Sequence, residues 1–323
     1  MNYQKIGSVI ISKGINQVGD IDGIIFDCDG VLVDVSKAYD FAIRETTQYV
    51  LKKFANIKSI PITAKIISGF KSTGGFNDEV DVTYASILSL VAAKKLGIND
   101  KKFIFHVIEN ANSTGIKSVE KFLDTLDVDL SGIRKKLDYP GEHTTNPLYE
   151  IFDQIFYGPE LYKKIFKKKS QFTEKGLINN DKVILTKKLL FILEKKFDNK
   201  LAIVSGRGKE SVRYSLKELL DWFNLKSSVF LEDEPREMAK PNPKSLLFSI
   251  NKLHARHCLY VGDSMEDMIM AKKVAKMGKK ITFCGIYGTS KNYDSKIRLF
   301  KDNNAPIMIK SINLLPKALN LAK

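Results

Sequence analysis

No run of about 18 or more consecutive apolar residues occurs in the chain, which removes a conventional membrane-spanning helix. The opening stretch MNYQKIGSVIISKGINQVGD has neither a long apolar segment nor a small-residue cleavage site, so the expectation is an uncleaved, cytoplasmic protein. Only three cysteines are present, Cys28, Cys258 and Cys284, far apart and without C-x-x-C spacing. That pattern argues against a disulfide framework, a zinc site or a redox pair, and two of the three fall in apolar runs that read as buried strands. The four histidines, His106, His143, His254 and His257, show no metal-binding spacing and are assigned no chemistry. Internal repeats and low-complexity segments are also missing.

What is abundant is positive charge. Lys and Arg outnumber Asp and Glu by 52 to 37, a formal net charge of +15. Such an excess attracts phosphates, nucleic acid or anionic surfaces through its field. The lysines are dispersed, however, and the densest group, Lys163, Lys164, Lys167, Lys168 and Lys169, is not interleaved with aromatics for base stacking. A solvated basic face is the simpler reading, and one that favours a small anionic substrate.

Apolar patterning divides the chain into two regimes. Gly23–Phe26 is a short apolar run ending in Asp27-Cys28-Asp29-Gly30, as a buried parallel strand ending in a functional loop should. Residues 35–180 read as mainly helical, with breaks at 68–78, 139–147 and 157–159. From about 182 strands and helices alternate: a helix over Val183–Lys196, a strand over Leu201–Val204 and a helix over Lys209–Trp222. A strand near Val229–Leu231, a helix near Pro243–Leu253, a strand over Cys258–Val261 and a helix over Met265–Lys276 follow, then strands at Lys280–Cys284 and Pro306–Ile309. This predicts an α/β core, a doubly wound parallel sheet built from 1–34 and 181–323, interrupted by a helical domain over 35–180. The first 20 residues would add an edge strand or wrap the core.

Open α/β sheets bind ligands at the carboxyl ends of their strands. Those ends carry Asp27 and Asp29, Ser205-Gly206-Arg207, and Gly262-Asp263 with Asp267, while Lys240 lies in the loop between the last two groups. Carboxylates, a hydroxyl and a lysine suit a phosphate held on a hard cation. A calcium loop starting at Asp27 would want an oxygen ligand at 31 and a Glu at 38, where Val31 and Ala38 stand. Asp267, three residues after Ser264, also has the spacing of a helix capping box, and both roles are compatible with its position. Arg207 and Lys209 could meet an anion, although an exposed helix start also accounts for basic residues there. Cys28 should point into the sheet by strand alternation.

D-x-D-G-V-L-V-D at 27–34, Ser205 after an apolar strand, Lys240 in K-P-x-P and G-D-x-x-x-D at 262–267 resemble, in order and setting, the four motifs of the haloacid dehalogenase superfamily. The resemblance implies a Rossmann-like core with a helical cap inserted after the first strand, and the opening motif and cap resemble the phosphoglycolate phosphatase and β-phosphoglucomutase branch. It implies a magnesium-dependent phosphatase in which Asp27 is the nucleophile, forming an aspartyl-phosphate, and Asp29 the acid/base. Mg2+ would be held by Asp27, the Asp29 carbonyl and Asp263, with Asp267 in support. Ser205 and the Gly206 amide would bind phosphoryl oxygens, and Lys240 would neutralise charge. The expected partner is a small phosphorylated metabolite. A phosphomutase, or a nucleic-acid-binding protein or nucleic-acid-end phosphatase using the basic surface, are the alternatives.

The cap would close over the site and supply specificity. Its most suggestive loop is Lys71-Ser72-Thr73-Gly74-Gly75-Phe76-Asn77-Asp78, in which Gly74 and Gly75 allow close backbone approach, Lys71 offers a charge and Phe76 a flat apolar contact. A flexible link between helices is the alternative. The sequence departs from phosphoglycolate phosphatases in a larger cap and in Ser-Gly-Arg at 205–207 where that branch commonly has Thr-Asn, so substrate identity does not transfer.

Overall fold

A computed structural model of the chain describes residues 2–13, 18–76, 78–290 and 292–321. The chain divides into two compact units, Met1–Ser36 with Asp181–Lys323, and Lys37–Asn180. Among the described residues, no helix is long and apolar enough to cross a membrane.

The first unit is built on an eight-stranded sheet of described residues. Its strands are β1 (Tyr3–Ile6), β2 (Val9–Ser12), β3 (Gly23–Phe26), β6 (Leu201–Ser205), β7 (Val229–Phe230), β8 (His257–Gly262), β9 (Lys280–Ile286) and β10 (Ile307–Ile309). A separate two-stranded ribbon pairs β4 (Val33–Asp34) with β5 (Lys182–Val183). The sheet order is β1-β2-β10-β9-β8-β3-β6-β7, parallel from β10 to β7, with β1 and β2 added antiparallel at the β10 edge. The amino-terminal residues therefore do form edge strands.

The period-2 geometry of strands explains why β3 reads as a continuous apolar run. Ile24 and Phe26 enter one core layer with Leu201, Ile203, Leu259 and Val261; Ile25 faces the other with Ala202, Val204, Cys258 and Tyr260. Ile24, Ile25 and Phe26 have no exposed surface, so each side chain gains roughly 1.5–3 kcal/mol from burial. Helices α8 (Lys187–Phe197) and α9 (Lys209–Leu216) cover the first face, while α10 (Lys244–Leu253) and α11 (Met265–Lys276) cover the second. After these come α12 (Tyr293–Asp302) and α13 (Leu315–Ala318).

Two element boundaries differ from the sequence expectation. The helix expected from Val183 starts at Lys187, where the Thr186 side chain caps it by accepting from Leu189 N, because Val183 is paired with Val33 in the ribbon. The helix expected over Lys209–Trp222 loses α geometry at Lys217, whose φ is +52°, and continues as a 3-10 turn.

At the amino-terminal ends of the central strands, Asp22 accepts hydrogen bonds from the amides of His257 (2.9 Å) and Arg256 (3.2 Å) and from Lys200 Nζ (3.2 Å). Burial pushes its carboxyl up, but these donors outweigh that and hold it at about 2, against an ordinary 3.8. Because the folded value is depressed, the stabilisation is present in full above 3.8 and lost as the pH falls toward about 2. Asp22→Asn is expected to melt below wild type at neutral pH, with the gap closing across that acid window. A gap independent of pH in thermal melts would contradict this.

The second unit is helical: α1 (Ser36–Val50, continued by a π-turn over Leu51–Ala55), α2 (Ala64–Ser72), α3 (Glu79–Leu96), α4 (Asp100–Asn110), α5 (Ile116–Asp124), α6 (Ser131–Leu137) and α7 (Pro147–Phe166). Only the start of α1 lies in the first unit. Helix α3 is buried on all sides from Val82 to Ala93 and forms the centre of this unit's core. Asp78 caps its start by accepting from Val80 N at 2.8 Å. Helix α7 breaks at Gly158 (φ +72°) and Pro159, as the sequence signals at 157–159 suggest.

Candidate active site

The strand ends of the first unit place the acidic and basic residues together. Asp27 follows β3 directly and is 6% exposed. Its Oδ1 accepts from the Cys28 amide at 2.7 Å and pairs with Lys240 Nζ at 2.7 Å. Lys240 Nζ reaches Asp267 Oδ1 at 2.8 Å as well, so one ammonium bridges two buried carboxylates. Burial lowers the affinity of Lys240 for its proton, but Asp267 and Asp27 reverse the effect and keep it charged. Burial raises the Asp27 carboxyl well above its usual range; Lys240 offsets part of this and Asp267, Asp263 and Asp29 add to it.

The turn after β8 is rigidified by Asp267. Its Oδ2 accepts from Ser264 Oγ (2.7 Å), Ser264 N (3.1 Å) and Asp263 N (3.2 Å), and Ser264 Oγ accepts from Asp267 N (3.1 Å) to complete a capping box at the start of α11. Oδ1 takes the Tyr260 hydroxyl at 2.6 Å besides Lys240. Burial works against the charge of Asp267, but these donors overcome it and lower its carboxyl. Asp267 thus has the capping role, and its contacts orient both Asp263 and Lys240.

Asp27, Asp263 and Asp267 each offer a carboxylate oxygen, all within 4.8 Å of one another. Hard oxygen donors in this number suit Mg2+, and three carboxylates against Lys240, with Lys296 3.8 Å from Asp263, leave negative charge for a divalent ion to offset. Gly30 makes the approach possible. It has φ +71°, and a Cβ there would stand 2.5 Å from the Asp263 carboxylate.

Ser205 ends β6, fully buried, and its Oγ accepts from Arg207 N at 3.1 Å, leaving its hydroxyl hydrogen to donate. A Cβ on Gly206 would meet nothing within 4 Å, so the backbone there lies open to a ligand. Arg207 departs from the expectation of an exposed helix start or substrate contact. Its side chain is 2% exposed and lies against Asp29 and Asp181. Lys296, Tyr260 and Asp181 were not singled out by sequence reasoning; no motif marks these side chains, and only tertiary pairing reveals them. Cys28 is buried, as strand alternation suggests.

In the helical unit, the features of the 71–78 loop are used internally. A Cβ on Gly75 would fall 2.3 Å from Gly115 N, so the close backbone approach is to the chain itself. Phe76 is 1% exposed and packs on Phe70 with ring centroids 5.1 Å apart, which replaces the flat ligand contact expected of it. Lys71 pairs with Glu79 at 2.6 Å. Gly74 has φ +84° in the turn after α2. Asn77 lies outside the described residues.

Residues 179–275 match the family model described as haloacid dehalogenase-like hydrolase. Among solved structures, the phosphatase Tt82 from Thermococcus thioreducens is 22% identical, with a TM-score of 0.58 over 86% of this chain and 98% of that one. A structural-genomics target is 19% identical with a TM-score of 0.67, covering 93% and 98%. A protein described as a predicted phosphoglycolate phosphatase from Haemophilus somnus 129pt is 16% identical with a TM-score of 0.51, covering 93% and 98%. These show a shared fold. No curated protein matches the chain. The family match covers the strands and loops that carry Ser205, Lys240, Asp263 and Asp267, and those ends meet Asp27 across the sheet. Within the first unit, residues 179–275 are thus similar to haloacid dehalogenase-like hydrolases, and the solved structures share the fold.

Proposed function

We propose that the chain is a magnesium-dependent phosphatase of small phosphorylated metabolites, with Asp27 as nucleophile. The observation that carries this reading is the buried Lys240 bridge between Asp27 and Asp267, beside Asp263, at the carboxyl end of the central strand. Asp27 and Asp263, with the Asp29 carbonyl, would hold Mg2+, which supplies charge neutralisation for the phosphoryl group. Asp267 would support them through the turn it orders.

Asp27 Oδ1 is tethered to Cys28 N and Lys240, so Oδ2 is the oxygen available to phosphorus. Attack forms the Asp27–phosphorus bond and breaks the ester P–O bond; the departing alkoxide takes its proton from Asp29. In the second half Asp29 takes a proton from water attacking the aspartyl-phosphate, which frees phosphate and restores Asp27. The Ser205 hydroxyl and the Gly206 amide would donate to phosphoryl oxygens while Lys240 offsets charge on the transferred group. The helical unit interrupts the core between β4 and β5, and we assign to it the choice of leaving group.

A screen of phosphate monoesters tests the reading by released phosphate. Turnover with Mg2+ that disappears with a chelator and returns on adding Mg2+ back is expected. Full turnover in the presence of chelator would remove the metal, and product isomerisation without phosphate release would make the enzyme a mutase.

A further inference from the structure

Arg207 is almost wholly buried in a loop that follows a proposed phosphate-binding serine, and it pairs with carboxylates of the chain itself. Its Nε stands 2.7 Å from Asp29 Oδ1, and its Nη1 reaches Asp181 Oδ2 at 2.8 Å and Ser215 Oγ at 3.0 Å. Ser215 Oγ in turn donates to Asp181 Oδ2 at 2.7 Å, so the far end of the guanidinium is anchored by two groups. Exposure differs between the two carboxylates. The Asp181 side chain is 4% exposed and Asp29 is 29% exposed, so the buried pair holds the fork and the open one is held by it.

Asp181 immediately precedes β5, whose Lys182 and Val183 pair with Asp34 and Val33 of β4. The ribbon is made of the segments by which the chain leaves the first unit and returns to it. We infer that Arg207 is a positioning residue for Asp29, fixing the direction of its carboxyl group from an anchor at Asp181 beside this ribbon. The inference rests on the acid/base reading of Asp29. The ion pair keeps Oδ1 beside the guanidinium and leaves Oδ2 for the proton transfer. A planar fork can serve Asp29 and Asp181 through different nitrogens at once, which a lysine ammonium cannot reproduce. Proton transfer is sensitive to such placement, because a displacement of about 1 Å costs on the order of 100-fold.

The test uses the full chain with Mg2+ and a series of aryl phosphates running from p-nitrophenyl to p-methoxyphenyl phosphate. A well-placed acid flattens the dependence of kcat/KM on leaving-group basicity. Asp29→Asn, Arg207→Met, Arg207→Lys and Asp181→Asn are each expected to steepen it, Asp29→Asn most and Asp181→Asn least. In Arg207→Met the most basic leaving group should lose on the order of tenfold or more relative to p-nitrophenol. A loss of packing alone would lower all substrates alike and leave the slope unchanged. If Asp29→Asn steepens the series while both Arg207→Lys and Asp181→Asn keep the wild-type slope, the inference is overturned even should Arg207→Met not fold. If Asp29→Asn keeps the wild-type slope, the acid role fails and the inference with it; a wild type inactive on the whole series contradicts the phosphatase reading instead.

Discussion

Asp27→Asn is expected to lose phosphatase activity by on the order of 10³-fold or more while remaining folded. The amide keeps the shape of the side chain but lacks an anionic oxygen able to attack phosphorus, and removing a nucleophile has effects of that size. Stability should move differently. Burial and three neighbouring carboxylates raise the Asp27 carboxyl, so its ionised form is a net burden on the metal-free fold at neutral pH. The substitution leaves Lys240 its other partner, Asp267, which stands 2.8 Å away. The variant should therefore melt no lower than wild type in the presence of chelator. Lost activity accompanied by a collapsed melting transition would make Asp27 structural.

Lys240→Met should lose both activity and stability. The side chains of Lys240 and Asp27 are each 9% exposed and that of Asp267 is not exposed, so removing the ammonium leaves two buried carboxylates facing each other. Breaking such a pair costs about 3–5 kcal/mol. Activity should fall by roughly 100-fold or more, since charge on the transferred phosphoryl group loses its fixed counter-charge. Urea denaturation in chelator and phosphate release at saturating Mg2+ measure the two effects separately. Wild-type stability in the variant would mean that the Lys240 bridge contributes nothing net to the fold.

The core was legible because its signals are local. Gly23–Phe26 is apolar on both faces and stops at Asp27, and β6 and β8 have the same form, so strand ends and polar residues are read together. Legibility failed where the deciding partner is distant in sequence. Arg207 looks like a basic residue at a helix start until Asp29 and Asp181 surround it. Gly75 looks poised for a ligand until Gly115 fills the space. Val183 carries an apolar side chain compatible with a helix, and only its pairing with Val33 makes it a strand. Asp267 lay between these cases: its spacing from Ser264 signals the capping box, whereas the Tyr260 hydroxyl and Lys240 contacts come from elsewhere.

If Asp27 is the nucleophile, phosphorus is bonded to it during turnover. Rapid acid quench of the enzyme with Mg2+ and a turned-over phosphomonoester, followed by peptide mass spectrometry, measures it directly. One phosphoryl group is expected on the peptide containing Asp27 and none in Asp27→Asn. Steady phosphate release with no phosphorylated peptide at any quench time, or the phosphoryl group on another residue, would contradict it.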